Sequence, residues 1–217
     1  MPRALLLVEL LIIFVGLPLA FRYSPVRLPA LPVLWAVAGY AWWQLWWDKS
    51  FDRRQLWNSG PLAGHLGSIL TIFAVVALAL WLGVRRFTPQ LEWSFLREHP
   101  GYWAMVMALY PVLSVYPQGV LYRSFFFHRY AVLFNGAWGG KWPLLLASAA
   151  AFSFLHIIFR SRMAIGLTLL GGFLFSLRYL QTGSLLTSSV EHALYGCWLF
   201  TVGMGADFYH GVWPEPK

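Results

Sequence analysis

The sequence predicts an all-α integral membrane protein, a polytopic bundle of about seven to eight transmembrane helices. Of its 217 residues, 59% are hydrophobic and only 11% are charged, whereas soluble proteins carry about 25% charged residues. Apolar runs long enough to cross a bilayer recur along the chain, and helices satisfy their backbone groups in lipid where isolated strands cannot. The net charge of +8 comes mostly from Lys and Arg between these runs, where such residues anchor spans at the headgroups. We therefore expect the lipid bilayer as a partner and no nucleic acid.

Three predicted spans occupy the N-terminal half: residues 4–20, 28–47 and 67–84. The first is predicted to be a retained anchor, because Pro18 stands where signal-peptide cleavage after Ala20 would require a small residue. The second ends in WWQLWW, the aromatic belt that is typical of a helix leaving the hydrocarbon. The mixed-charge stretch FTPQLEWSFLREHPG follows the third span, and it predicts an interfacial or re-entrant segment.

Four further spans are predicted in the C-terminal half. The fourth begins near Tyr102 and continues through PQGVLYRSFFFHRY, and the others cover about 142–159, 163–180 and 184–208. We divide the chain into N-terminal transmembrane helices with the interfacial segment (residues 1–101) and core helices (residues 102–217). Charges in the connecting segments favour neither orientation in the membrane.

Ionisable residues inside predicted spans are informative, because each costs at least a few kcal/mol at the centre of a bilayer helix and therefore often marks function. The candidates are Glu9, Arg123, His156, Arg178, Glu191 and His192, with Asp207 near the last helix end. Glu9 lies near a helix end and is expected either to extend towards the membrane interface or to pair with Arg123 or Arg178. His128 stands beside Arg129 at a predicted interface, where we expect a packing role.

Three local patterns occur in order on three separate spans. QGVLYR places Gln118 five residues before Arg123, FSFLH places Phe152 four residues before His156, and HALYG places Gly196 four residues after His192. This ordered set resembles the CPBP family of intramembrane glutamic endopeptidases, which includes the CAAX prenyl endopeptidase and bacteriocin-processing homologues. That family carries Glu-Glu-x-x-x-Arg, then Phe-x-x-x-His, then His-x-x-x-Asn or a variant. The resemblance covers about residues 102–208.

The resemblance implies an intramembrane peptidase that cleaves a membrane-anchored protein or peptide without a cofactor or a metal, in the inner membrane of a bacterium. In the family, the glutamate and the second-motif histidine activate a water, while the third motif stabilises the oxyanion. Carried over, His156 is the water partner, His192 is the oxyanion donor and Arg123 is a structural counter-charge. The residues predicted to contact substrate are Phe152, Tyr122, Glu191, Tyr195 and Gly196.

The sequence departs from the family at the two positions of the glutamates, which hold Gln118 and Gly119. Neither side chain can act as a base, so we expect impaired or absent cleavage. Three explanations stay open: a naturally inactive member, a glutamate at 119 that was replaced, or a base borrowed from Glu191. In the second case, Gly119→Glu should restore proteolysis.

Two other functions stay open. One is a non-catalytic membrane protein that keeps the substrate groove; the other is a cation site formed by His156, His192 and Glu191, since two histidines and a carboxylate are a known zinc ligand set. A shared peptidase site requires Arg123 and both histidines to converge, with the histidine side chains within about 10 Å. We expect this convergence because we expect the fourth helix to run through to about Tyr130 and the fifth helix to extend past Arg160.

Overall fold

The computed structural model describes residues 2–26, 28–134 and 141–205. These residues form helices and connecting turns without any strand, as predicted. The helices are α1 (Arg3–Tyr23), α2 (Ala30–Trp47), α3 (Gly60–Phe87), α4 (Ser94–Glu98), α5 (Pro100–Phe134), α6 (Trp142–Phe159, whose last turn is 3₁₀), α7 (Arg162–Thr182) and α8 (Leu185–Val202). Short 3₁₀ turns at Arg53–Leu56 and Pro89–Leu91 flank α3.

Five segments of the described chain are long and apolar enough to cross a membrane: α1, α3 with its preceding turn, α5, α6 and α7. The protein is therefore a multi-pass integral membrane protein. Helices α2 and α8 each have 18 residues but do not belong to this set. Tryptophans at the end of α2 and hydroxyl and ionisable side chains in α8 lower their mean hydropathy, so the predicted count of seven to eight spans is not confirmed.

We expected both α5 and α6 to be long, and the structure confirms this for α5 only. Helix α5 runs past Tyr130 to Phe134, as expected. Helix α6 instead ends at Phe159, because Arg160 adopts a left-handed conformation with φ of 58°. Such a conformation is a common helix terminator. The prediction that this helix passes Arg160 is therefore wrong, and the predicted end of the last span, with Asp207 and Phe208, lies outside the described residues.

Helix α5 is continuous but irregular, with π-helical turns at Pro111–Val115 and Val120–Phe125. Pro117 has no N–H to donate to the carbonyl of Leu113, four residues earlier. The indole Nε1 of Trp35 on α2 donates to that carbonyl at 2.9 Å, so the proline break is also a docking point for α2. Single π turns inside helices are frequent at functional sites.

The central part of α5 is the core of the bundle. Residues 117–127 are buried, and on one side the rings of Tyr122, Phe126 and Tyr130 meet Phe14 of α1 edge to face. Helices α6 and α7 cover another side, where the Ser148 hydroxyl donates to the carbonyl of Tyr122 at 2.6 Å. The middle of α5 is thereby held by neighbours from several helices.

The ion pair predicted for Glu9 is wrong. Its carboxylate accepts from Arg129 Nε at 3.0 Å and from the hydroxyl of Tyr40 at 2.6 Å, because α1 packs against the C-terminal half of α5. His128, expected to pack at an interface, contacts Asp48 Oδ2 through Nε2 at 2.9 Å. It thus ties α5 to the end of α2.

Candidate functional site

Arg123, His156 and His192 come from α5, α6 and α8 and meet around one aromatic ring. The guanidinium carbon of Arg123 lies 4.7 Å from the centre of the Phe152 ring. The rings of His156 and His192 lie 4.9 and 5.4 Å from the same centre. Phe175 of α7 stacks on His192 at 4.5 Å and lies 5.3 Å from Arg123. The structure therefore brings together the three polar side chains of the three motifs.

A cavity of about 590 Å³ opens beside this cluster, between α1, α2, α5 and α6. Its wall is mostly apolar, and the polar residues among those that line it are Tyr110, Ser114, Gln118, Tyr122 and His156. A ligand in this cavity would meet Gln118 and His156 directly. It would not contact Arg123, His192 or Phe152 directly, because these residues do not line the cavity and lie behind its wall.

The position of the ring proton on His156 follows from its environment. Its Nδ1 lies 2.8 Å from the backbone carbonyl of Phe152. A carbonyl only accepts hydrogen bonds, so Nδ1 carries the hydrogen and the lone pair stands on Nε2. The side chain is buried apart from its contact with the cavity, at the point where α6 tightens into its 3₁₀ turn. His156 is thus oriented as a proton acceptor.

Gln118 and Gly119 differ sharply in surroundings. The Gln118 Nε2 donates to Ser114 Oγ at 2.7 Å, and its Oε1 is buried without a partner among the described residues. At Gly119 a Cβ atom would lie 2.8 Å from Leu185 Cδ1 and 3.0 Å from Ser189 Oγ. Glycine at 119 therefore lets α5 approach α8 closely, a packing reason that the sequence did not show. A carboxylate fits best at 118, where Glu is nearly isosteric with Gln.

The polar atoms around Phe152 are incompletely satisfied. Arg123 Nε and Nη2, His192 Nδ1 and Ser189 Oγ are buried without a hydrogen-bond partner within the described part of the chain. Buried polar groups normally have partners, and those that lack them are often functional or bind water or ions. Arg123 was predicted as a counter-charge, yet its charge contacts two phenylalanine rings.

Glu191 lies elsewhere, in a buried ion pair with Arg178. The two distances are 2.9 Å from Arg178 Nε to Glu191 Oε2 and 3.1 Å from Nη2 to Oε1. Arg178 Nη1 also donates to Ser68 on α3 at 3.1 Å. Because Glu191 does not line the cavity and is held by this pair, it is unsuited as the borrowed base or as a substrate contact. Among the described residues, no three side chains of the metal-binding types stand together, which also argues against the cation site.

The other residues predicted to contact substrate have different positions. Tyr122 lines the cavity, whereas Phe152 lies behind it and positions the polar cluster. Tyr195 packs against Phe73 and Phe175, away from the cavity. Gly196 lies directly beneath Tyr110.

Sequence reasoning missed four residues of this region: Tyr110, Ser114, Ser189 and Phe175. Ser114 precedes Gln118 by four residues and Ser189 precedes His192 by three, so helical spacing could have placed both on the motif faces. Tyr110 and Phe175 are aromatic residues within apolar helices, and nothing in the local sequence distinguishes them from packing residues. Only the packing of α5, α7 and α8 brings them to the site.

Residues 99–198 match the family model described as "Type II CAAX prenyl endopeptidase Rce1-like". This segment is therefore similar to the Rce1-like family. It covers α5, α6, α7 and most of α8, and therefore all three motifs, so the resemblance to the CPBP family is confirmed. No curated protein and no solved structure matches the chain significantly. The match to the Rce1-like family model indicates an intramembrane protease, while the roles of individual residues stay predictions.

Proposed function

We propose that this chain is an intramembrane endopeptidase that cleaves a membrane-anchored protein or peptide, and that cleavage is slow because no carboxylate stands beside the catalytic histidine. The observation that carries the proposal is the placement of Gln118 and His156 on the wall of one apolar cavity. Peptide-bond hydrolysis in a membrane needs such a site, where a water, a proton acceptor and a scissile carbonyl can meet away from bulk solvent.

Among the described residues that line the cavity, His156 is the side chain best suited to accept a proton. As a water attacks the scissile carbon, its proton passes to Nε2 of His156, and the electron pair of the C=O bond moves to the oxygen. When this intermediate collapses, the C–N bond breaks, the C=O bond re-forms and the leaving amine takes the proton from Nε2 of His156. Gln118 holds the attacking water through its amide but cannot accept a proton at neutral pH. His192 lies behind Phe152 and does not line the cavity. It contributes to the reaction through its electrostatic field at the site.

The apolar character of the cavity supports the proposal that the substrate carries a lipid anchor. Its walls come from apolar residues of α1, α2 and α5, and each buried CH₂ of an anchor would contribute roughly 0.8 kcal/mol. The name of the matching family model specifies a prenyl endopeptidase, so a prenylated peptide is the first probe. We further propose the inner membrane of a bacterium as the location and residues 102–217 as the catalytic part.

One observation favours a second function, a protein that holds substrate without cleaving it. Both family glutamate positions lack a carboxylate, and Gly119 is closely packed against α8. General-base assistance typically contributes about 10²- to 10⁴-fold, so its loss could leave binding alone. The two functions differ in what a restored base would do.

The deciding experiment restores a carboxylate at the cavity wall. The protein and its Gln118→Glu variant are reconstituted in liposomes with a fluorogenic peptide that carries a farnesylated cysteine. We expect the variant to cleave about 10²- to 10⁴-fold faster, and His156→Ala in that background to abolish the gain. Gln90→Glu is the matched control, because it adds the same charge at an exposed position outside the cavity.

Binding of the peptide without cleavage by Gln118→Glu would favour the holding function. Absence of both binding and cleavage would overturn the proposal. Cleavage by the unmodified protein that disappears on Glu191→Gln would make Glu191 the base, and cleavage that disappears only on chelation would indicate a metal. Gly119→Glu is a poorer test, since the new side chain must displace Leu185 and Ser189.

A further inference from the structure

The phenol of Tyr110 occupies the space that a side chain at position 196 would need. A Cβ atom added to Gly196 would lie 2.3 Å from both Oη and Cε1 of Tyr110. No real Cβ approaches this closely, so glycine is required at 196 as long as Tyr110 keeps its place. Gly196 follows His192 by one helical turn on the same face of α8, and the tyrosine thus enters a notch beside the histidine.

Tyr110 connects this notch to the cavity. Its ring is perpendicular to the ring of His192 at 6.4 Å between centroids, and Phe200 supports its other side at 5.4 Å. Unlike His192, Tyr110 also lines the cavity, together with Gln118 and His156. Phe200 is the residue of α8 that lines the cavity, and Tyr110 is the polar residue beside His192 that also lines it.

Tyr195 provides a comparison within the same site. Its hydroxyl is buried without a hydrogen-bond partner among the described residues. Because the residue does not line the cavity, it cannot meet a ligand there. Tyr110 does reach the cavity, and a phenol is among the side chains that form oxyanion holes, where it donates its O–H to an oxygen that gains charge in the transition state.

We infer that Tyr110 is a further catalytic residue, one that donates a hydrogen bond to the oxyanion formed when water attacks the scissile carbonyl. In the CPBP pattern position 196 is the one that holds asparagine, and here the phenol fills the space of that side chain. The O–H stays on the tyrosine: the electron pair of the C=O bond moves to the carbonyl oxygen, which accepts the hydrogen bond, and it returns when the amine leaves. This inference rests on the proposed peptidase function.

The first test measures binding and does not need turnover. A farnesylated peptide trifluoromethyl ketone forms a hydrate that mimics the tetrahedral intermediate, and ¹⁹F NMR reports its binding to the unmodified protein in micelles. The matched farnesylated amide mimics the ground state. Tyr110→Phe removes only the hydroxyl, and we expect the preference for the hydrate over the amide to fall by about 10². Tyr195→Phe is the control and should leave the preference unchanged.

The second test moves the donor to α8. Gly196→Asn alone should lower the thermal unfolding temperature, because the new side chain meets the phenol. Tyr110→Ala/Gly196→Asn should recover both stability and preference for the hydrate, while Tyr110→Ala/Gly196→Leu should recover stability only. A preference for the hydrate that survives Tyr110→Phe, or that the leucine variant restores equally, would overturn the role of Tyr110. If the unmodified protein binds neither probe, the proposed peptidase function fails and this inference fails with it.

Discussion

Arg123 and Arg178 are buried to a similar extent in this membrane bundle, but their surroundings differ. Arg178 is 5% exposed and makes a two-pronged ion pair with Glu191, which is fully buried. Arg123 is 1% exposed, and two of its nitrogens have no partner among the described residues. We call the group of Arg178 and Glu191 the closed cluster, because the two charges compensate each other. We call the group of Arg123, His156 and His192 the open cluster, because some of its polar atoms have no partner among the described residues.

The difference separates a structural group, Arg178, from Arg123, for which we propose a function. A buried charge costs several kcal/mol unless a partner compensates it, and the Arg178 pair meets this requirement while joining α7, α8 and Ser68 of α3. Arg123 meets it only in part, through its contacts with Phe152 and Phe175. An incompletely compensated cation beside two histidines and a cavity indicates a site that is completed by water, substrate or a transition state.

The largest expected effect comes from breaking the closed cluster. Glu191→Gln leaves Arg178 buried without a counter-charge, and removal of one partner of such a pair typically costs about 3–5 kcal/mol. We expect a marked fall in the unfolding temperature of the detergent-solubilised protein, measured by intrinsic tryptophan fluorescence.

Arg123→Met is the matched comparison, because it removes an equally buried arginine from the open cluster. No ionic partner is lost, and the lost cation–π contacts are offset by relief of the desolvation cost, so we expect a change of less than about 1 kcal/mol. Equal destabilisation by both variants would show that the two clusters do not differ as described.

These clusters also show what the sequence could and could not supply. The positions of Arg123, His156 and His192 followed from motif spacing, because each motif lies within about one turn of a single helix. Their convergence was an expectation, and the ring of Phe152 now gives its geometry. The pairing of Glu191 with Arg178 could not be predicted from the sequence, because it depends on how α7 packs against α8. The same holds for Glu9, which pairs with Arg129.

The next effect concerns the contact between α5 and α8 that supports the open cluster. Gly119→Ala places a methyl group 2.8 Å from Leu185 Cδ1 and 3.0 Å from Ser189 Oγ, and overpacking of this kind costs about 1–3 kcal/mol. Leu185 and Ser189 must move, so binding of the farnesylated peptide should weaken together with stability.

Gly166→Ala is the control for Gly119→Ala, since it lies on α7 with nothing within 4 Å of the added atom. Alanine is a better helix former than glycine by up to about 1 kcal/mol, so this variant should be neutral or slightly more stable. If Gly119→Ala behaved like Gly166→Ala, the close approach of α5 to α8 would be disproved.

The smallest effect is expected at the carboxylate of Asp48, which lies outside the helices and contacts His128 of α5. This site extends the comparison to an exposed group. Asp48 follows α2 and accepts hydrogen bonds from Ser50 Oγ at 2.6 Å and from His128 Nε2 at 2.9 Å. These bonds, that of Ser50 first, hold the pKa of the Asp48 carboxyl well below its usual value. Because Asp48 is more than a third exposed, solvent screening keeps its contribution small.

The sign of the pH dependence follows from the lowered pKa of Asp48. The folded protein binds the Asp48 proton less readily than the unfolded chain does, so the stabilisation is complete above the unfolded pKa of about 4 and is lost as the pH falls below it. The unfolding temperature between pH 5 and pH 3 should therefore fall slightly less in Asp48→Asn than in the unmodified protein. Asp52→Asn provides the control, because Asp52 pairs with Arg54, two residues along the chain, and joins no second helix. An identical decline in Asp48→Asn and the unmodified protein would show that the contact between α2 and α5 does not depend on this charge.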